Sequence, residues 1–392
     1  MKKYSNKTVI ESLRLPMLTC FDDLVRELSL SGKLVYWLTK QDAEGRYTIF
    51  FDKKDGDKRK ICAPSMSLKI VQRWVLKNIL YKIKVSQYSY GFAKESLKGS
   101  PLVSCAEKHN KNLYLLKLDL KEFYPSIKRK HVYYTFINIG YNSDISNLLT
   151  NLCVVDNELP QGAVTSPYLA NLVCRNLDLR IAGYCNKRNI VYTRYADDLT
   201  FSCDDEALLR KIYSMIKKII EDEGFCLNQK KTVFMTPKTH KVILVVTVND
   251  NLLKVPREMK RYIRAMLHYE VVTGNYVMND KIRGYISYVD FIEKNYKQKC
   301  IKYLKKLSAS TLYLYPDIVK AYNSNKIFAE LPDMIEKQEA DYIDSKSDDD
   351  FLNMNVMNEN IFLLPDFKKM SCDSFTKLLY NCNMIILFLL CH

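Results

Sequence analysis

Tyr195-Ala196-Asp197-Asp198 sets two neighbouring carboxylates between two apolar stretches, Val191-Tyr192-Thr193-Arg194 and Leu199-Thr200-Phe201-Ser202. Adjacent anions at a turn between buried strands repel each other and lose hydration, so a fold keeps them chiefly for a cation. Mg2+, hard and oxygen-seeking, is the natural choice. An Asp-Asp pair also makes an ordinary turn, and alone it leaves both readings open. A third acid shifts the balance: Asp119 ends the apolar run over residues 113–118 and precedes Leu120-Lys121-Glu122-Phe123-Tyr124-Pro125-Ser126. A carboxylate at a strand's exit can share two metal ions, ~3.5–4 Å apart, with the turn for in-line displacement at phosphorus. Asp119 and Asp197 are the expected main ligands of two Mg2+ ions, with Mn2+ as a substitute. Asp198 either binds a metal more loosely or shapes the turn.

These acids need strands, and the surrounding pattern supplies them. Residues 113–120 read as a buried strand, and 190–192 with 199–202 as two strands around the acidic turn. Helical stretches lie between, which predicts an α+β domain with a small antiparallel sheet covered by helices on one side. Tyr47 to Phe51, the turn Asp55-Gly56-Asp57 and Lys58 to Cys62 form a basic hairpin. Over residues 67–83, Leu68, Val71, Val75 and Ile79 mark an apolar helix face, while Lys69, Arg73 and Lys77 recur on another. That stripe suits phosphate contact or a plain solvated face. Leu159-Pro160-Gln161-Gly162-Ala163-Val164-Thr165-Ser166-Pro167 has the form of a loop entering a helix. Gly162 would permit close backbone approach, with the following amides free to face a template or nucleotide.

The whole chain sets outer bounds. It carries 60 lysines and arginines against 44 acidic residues, a formal charge of +16 over 392 residues, which favours a polyanionic partner such as nucleic acid. Its 12 cysteines are scattered, without zinc spacing, and read as reduced core thiols. Met1-Lys2-Lys3-Tyr4-Ser5 leads into no apolar h-region, and the apolar run 384–391 falls far short of the ~20 residues of a membrane span. A cytoplasmic protein without membrane partners is expected. Residues 1–45 read as a helical lead-in, with Leu24, Leu28 and Leu34 spaced along it. Residues 333–350 are acidic and aperiodic, and resemble a linker.

Together the Asp119 segment, the Leu-Pro-Gln-Gly loop and the Tyr-Ala-Asp-Asp turn, in that order, resemble reverse transcriptases, and most closely the bacterial retron enzymes, over roughly residues 45–300. Glu223-Gly224-Phe225-Cys226-Leu227-Asn228-Gln229-Lys230-Lys231-Thr232 looks like the family's glycine-then-lysine block, where Lys230 and Lys231 can approach a triphosphate. Arg59, in Lys58-Arg59-Lys60-Ile61-Cys62, matches the fingers arginine on the incoming triphosphate. Tyr124 matches the aromatic gate against a ribose 2′-OH, and a core aromatic is its plainer reading. Gln161 and Gly162 would line the nucleotide site. Ser89-Tyr90-Gly91-Phe92 and Cys105-Ala106-Glu107-Lys108-His109 resemble the retron Gly-Phe and Asn-Ala-x-x-His region, with cysteine in place of asparagine. A Val-Thr-Gly expected near Ile243-Leu244-Val245 is absent. His109 is assigned either to nucleic-acid binding or to a satisfied structural role. Along the helix that follows, Met259, Ile263, Met266 and Leu267 turn inward, and Arg257, Arg261, Arg264 and His268 form a stripe suited to a template–primer backbone. Residues 281–306 continue that basic character.

The resemblance implies a right-hand polymerase, with fingers and palm over 46–248, a helical thumb over 249–315, and an acidic linker and C-terminal extension over 316–392. It also implies deoxynucleoside triphosphate substrates, a structured noncoding RNA as template and primer, and multicopy single-stranded DNA joined to that RNA as product. A separate effector protein and a role in antiphage defence follow from the same resemblance. A group II intron-like or other defence reverse transcriptase with different priming, and a catalytically silent RNA-binding scaffold, are the alternatives.

Overall fold

A computed structural model describes residues 5–40, 44–54, 57–93, 100–249, 252–273 and 277–310. The extension 316–392, the N-terminal Met1-Lys2-Lys3-Tyr4 and the Asp55-Gly56 centre of the hairpin turn lie outside the described residues. The chain divides into two compact units, Met1–Leu244 and Val245–His392. No helix among the described residues is long and apolar enough to cross a membrane.

The first unit begins with three short helices, α1 (Lys7–Ser12), α2 (Phe21–Leu28) and α3 (Gly32–Thr39), followed by the hairpin β1 (Tyr47–Lys54) and β2 (Asp57–Pro64). Helix α4 (Met66–Asn78) starts where the Ser65 hydroxyl accepts from the Leu68 N–H at 3.4 Å, an N-cap. It stops short of the predicted residue 83. Ile79 is its C-cap, a single 3-10 turn spans Leu80–Lys82, and the Ile83 carbonyl accepts from the Tyr168 hydroxyl at 2.8 Å. There follow α5 (Pro101–Glu107), β3 (Tyr114–Asp119), α6 (Phe123–Ser126), α7 (Arg129–Ile139), α8 (Ser143–Cys153), α9 (Ser166–Val173) and α10 (Arg175–Asn186). β4 (Val191–Tyr195), β5 (Asp198–Cys203), α11 (Glu206–Lys211), α12 (Tyr213–Asp222), β6 (Val233–Met235) and β7 (Val242–Ile243) complete it.

The central sheet has the order β4-β5-β3-β6, and its β4–β5, β5–β3 and β3–β6 pairings are antiparallel. Alternation along the strands sorts the side chains into two sets. Leu116, Leu118, Tyr192, Leu199 and Phe201 join the large core, together with Ile145, Leu149 and Leu169 of the covering helices and Leu177 and Ile216. Lys117, Asp119, Thr193, Thr200 and Ser202 point the other way. The sheet is therefore apolar on its helix-packed face and polar on the other, which is what places acids at one end of it.

In the second unit, β8 (Val246–Asn249) pairs antiparallel with β9 (Leu252–Lys254). Helices α13 (Arg257–Thr273), α14 (Asn279–Ile292) and α15 (Tyr296–Ser310) follow. Met259, Ile263, Met266 and Leu267 of α13 are buried, as are Ile282, Ile286 and Val289 of α14 and Cys300 and Leu304 of α15. Their 3–4 residue spacing is the apolar stripe of a packed helix.

Candidate active site

Register brings the acids together. Asp119 is the cross-strand partner of Asp198, the last pair of the β3–β5 ladder, so their side chains share one face of the sheet. The Leu120 N–H donates to the Asp197 carbonyl at 3.0 Å, and the Asn228 N–H to the Asp119 carbonyl at 2.8 Å, tying the strand exit to the turn and to the glycine-lysine block. The β4–β5 connection is a two-residue turn, because Tyr195 pairs with Asp198. Ala196 takes φ 55° there, a positive angle that tight hairpin turns require and that costs a non-glycine residue some strain.

The electrostatics show an acid set short of positive charge. Burial, and then the Asp198 and Asp119 charges, push the Asp197 carboxyl up to about 7. Burial also raises Asp198, opposed by Lys117, whose Nζ lies 3.2 Å from the Asp198 Oδ1. Lys231 Nζ lies 3.0 Å from the Asp119 Oδ1. Two lysines thus engage two of the acids, and Asp197 carries the repulsion. Among the described residues no three acidic, histidine or cysteine side chains are gathered into a ready metal cage. The donor set nevertheless fits a hard divalent cation: all oxygen, anionic and underneutralised at Asp197.

The remaining expected residues fall into three groups. Close to the acids are Lys231, on a 3-10 turn (Gln229–Lys231), with the exposed Lys230 beside it. Tyr124, on α6, is half-buried with its ring 5.3 Å from that of Phe123. On the hairpin, Arg59 pairs with Asp52 across β1 and β2. The Gln161-Gly162 loop docks on β2, where the Cys62 N–H donates to the Gln161 carbonyl at 2.8 Å. Gly162 has φ 111°, and a Cβ there would meet the Cys62 carbonyl oxygen at 3.0 Å. Its close approach is therefore to a strand of the same chain. Gln72 buttresses the loop, accepting from the Val164 N–H at 3.2 Å and donating to the Leu152 carbonyl at 2.8 Å. In the second unit Arg257, Arg261 and Arg264 are exposed on α13, and the Arg264 guanidinium lies 5.3 Å from the Tyr303 ring centre.

For His109 the geometry favours the structural one of its two readings. It is fully buried, with Nδ1 2.6 Å from the Ser202 hydroxyl and Nε2 2.7 Å from that of Thr193. Burial pushes its pKa down to about 3, so the ring is neutral. One residue set accounts for this: Cys105, four positions earlier, lies 3.2 Å from the same Thr193 hydroxyl. The segment covers the polar side of β4 and β5, and His109 is held there between the two strands.

Sequence reasoning missed what holds the turn from its other side. Arg194 is fully buried on the core face of β4, and its Nε and Nη2 each donate at 2.8 Å to the Asp178 carboxylate of α10. Nη1 donates to the Asn171 Oδ1 at 3.0 Å and to the Ala196 carbonyl at 3.1 Å. The Tyr192 hydroxyl donates to Asp178 at 2.8 Å. A fully paired ion pair is tolerable in a core where a lone charge is not. The available signal was an arginine inside an otherwise apolar strand.

A two-stranded hairpin, a polar-faced antiparallel sheet and converging strand-end acids define a polymerase palm with its fingers. Comparison with known proteins agrees: residues 51–304 match the family described as Reverse transcriptase (RNA-dependent DNA polymerase). The chain belongs to that family and is an RNA-directed DNA polymerase. It is 34% identical over 308 residues to the Retron Ec86 reverse transcriptase of Escherichia coli, covering 78% of this chain and 94% of that one. It is 33% identical over 278 residues to the Retron Mx65 reverse transcriptase of Myxococcus xanthus, covering 65% of this chain and 64% of that one. Within the family it is thus a retron reverse transcriptase. Among solved structures, telomerase from Candida Tropicalis in complex with a fragment of telomeric RNA aligns at TM-score 0.41 and 13% identity, covering 73% of this chain and 58% of that one.

Proposed function

We propose that this chain copies part of a structured noncoding RNA into multicopy single-stranded DNA by two-metal nucleotidyl transfer, in a bacterial antiphage system working with a separate effector protein. The observation that carries the chemistry is the Asp119–Asp198 register pair beside an Asp197 carboxyl raised to about 7. Asp119 and Asp197 would hold two Mg2+ ions, or Mn2+, with Asp198 binding more loosely. Held by these carboxylates, such ions would supply Lewis acidity to a primer hydroxyl and positive charge against the triphosphate.

The protein's own groups do the rest. Arg59, Lys230 and Lys231 supply positive charge to the triphosphate, and Lys231 becomes available as it leaves Asp119. Tyr124 stands where a ribose 2′-OH would need space, and so favours deoxynucleotides. Gln161 and Gly162 hold the nucleotide site against the hairpin. Residues 46–248 act as fingers and palm, and 249–315 as a thumb whose Arg257, Arg261 and Arg264 grip phosphates without reading sequence. The site of action is the cytoplasm, and 316–392 serve association with the effector or with another copy.

The test is to purify the full chain with its nucleic acid and sequence what accompanies it. A branched DNA joined to a small RNA is expected. A linear product would point instead to a group II intron-like enzyme with different priming. Asp119→Asn and Asp197→Asn should each abolish DNA synthesis while leaving RNA binding intact; synthesis at the wild-type rate by either would refute the site.

A further inference from the structure

The segment Tyr88-Ser89-Tyr90-Gly91-Phe92 resembles a family mark associated with RNA, yet its contacts run to the catalytic turn. The Arg194 N–H donates to the Tyr88 carbonyl at 2.7 Å, and the Tyr90 N–H to the Arg194 carbonyl at 2.8 Å. Ser89 and Arg194 form a parallel bridge, so this segment lies alongside β4, the strand that enters the turn. Asn171 of α9 clamps it in place: its Nδ2 donates to the Gly91 carbonyl at 2.6 Å, and its Oδ1 accepts from the Ser89 hydroxyl at 2.8 Å. The same Oδ1 accepts from Arg194, which also donates to the Ala196 carbonyl. One buried amide therefore joins the segment and the turn.

Gly91 sits at the tightest point. A Cβ there would lie 3.1 Å from the Ala196 backbone nitrogen and 3.2 Å from a Tyr195 ring carbon. Its φ lies outside the positive range in which glycine is favoured, so space rather than backbone angle explains the residue. The added carbon has no easy relief. The Gly91 carbonyl is held by Asn171, and the Tyr195 ring packs against Phe92 with centroids 6.0 Å apart. The displacement would pass into Ala196 and from there to Asp197, its neighbour.

We infer that Gly91 is a positioning residue for the catalytic turn: its missing side chain lets the 88–92 segment brace Tyr195 and Ala196 and so sets where Asp197 stands. The inference rests on the proposed role of Asp197. Since a misplacement of ~1 Å in a catalytic constellation can cost ~100-fold in rate, a shift of a few tenths of an ångström is expected to cost about tenfold.

The test uses the full-length protein with poly(rA)/oligo(dT) and dTTP. Gly91→Ala should lower kcat about tenfold while KM for dTTP and Kd for the template–primer stay within about twofold of wild type. Ser89→Ala, which removes one clamp hydrogen bond and no packing, should lower kcat about threefold in the same pattern and carries the test if the alanine at 91 prevents folding. Wild-type kcat in Gly91→Ala, or in Ser89→Ala where the first does not fold, overturns the inference. So does a loss carried by template–primer Kd with kcat retained, which would make the segment an RNA contact. Asp197→Asn separates the two readings. If that variant still synthesises DNA, the active-site assignment itself fails; if it is inactive while Gly91→Ala matches wild type, only the role of Gly91 falls.

Discussion

Replacing Asp197 by asparagine should stabilise the metal-free protein while removing its activity. Burial and the two neighbouring carboxylates raise Asp197 from an ordinary 3.8 to about 7. A carboxyl raised on folding favours the native state while protonated. That contribution is fully present below its unfolded pKa near 3.8, and it is lost as pH climbs through about 7. The whole displacement corresponds to ~4 kcal/mol at pH 8, as an upper bound. Solvent reaches the site from one side, and Lys117 and Lys231 relax toward the freed charge, so ~1–3 kcal/mol is the working expectation. Asparagine keeps the shape without the charge. Urea unfolding in EDTA, followed by circular dichroism, should therefore give Asp197→Asn the same stability as wild type near pH 4. Its advantage should grow between pH 4 and 7 and level off above. Excess Mg2+ at pH 8 should narrow the gap by stabilising wild type alone. A variant no more stable than wild type at pH 8 in EDTA would refute the reasoning, because the acids would then not be in electrostatic conflict.

Three further outcomes are expected. Arg194→Met strands the Asp178 carboxylate in the core and should cost ~3–5 kcal/mol in urea unfolding, whereas the same change combined with Asp178→Leu should recover much of it. Glu270 on α13 is buried, its Oε1 lacks a hydrogen-bond partner among the described residues, and burial raises it to about 7. Glu270→Gln should accordingly raise the melting temperature at pH 8 to 9 and do little at pH 5, since the ionised form loses stability as pH rises. Arg261→Ala should weaken template–primer binding equally for unrelated sequences, and should lower the slope of log Kd against log salt by about one.

Much of the candidate site was legible in residue types and order. Asp119 ends an apolar run and Asp197-Asp198 interrupts another, and strand alternation with a two-residue turn then leaves few ways to arrange them. The basic hairpin and the inward face of α13 were legible for the same reason, since periodicity is local. Partnerships across long separations were not. Nothing near Lys117 announces that it reaches Asp198 on the neighbouring strand, and Arg194 gives no hint that its charge is answered from α10. His109 illustrates the limit most clearly. The sequence left it between nucleic-acid binding and a structural role, because its neighbours, Ser202 and Thr193, lie more than 80 residues further along the chain. Gly162 was read as permitting a close backbone approach, and what the sequence did not announce is that strand β2 takes part in that approach.

Because Asp119 and Asp198 face each other as the terminal rung of one ladder, the proposed catalytic arrangement depends on the parity of residue counting along β3 and β5. One residue inserted in either strand would rotate every side chain beyond it to the opposite side, sending an acid toward the hydrocarbon interior and a leucine out to the cleft. A length change in the Asp204-Asp205 connection after β5 carries no such penalty. Natural variation in this enzyme should thus accumulate additions and losses in its connections while the two strands keep an unchanging count.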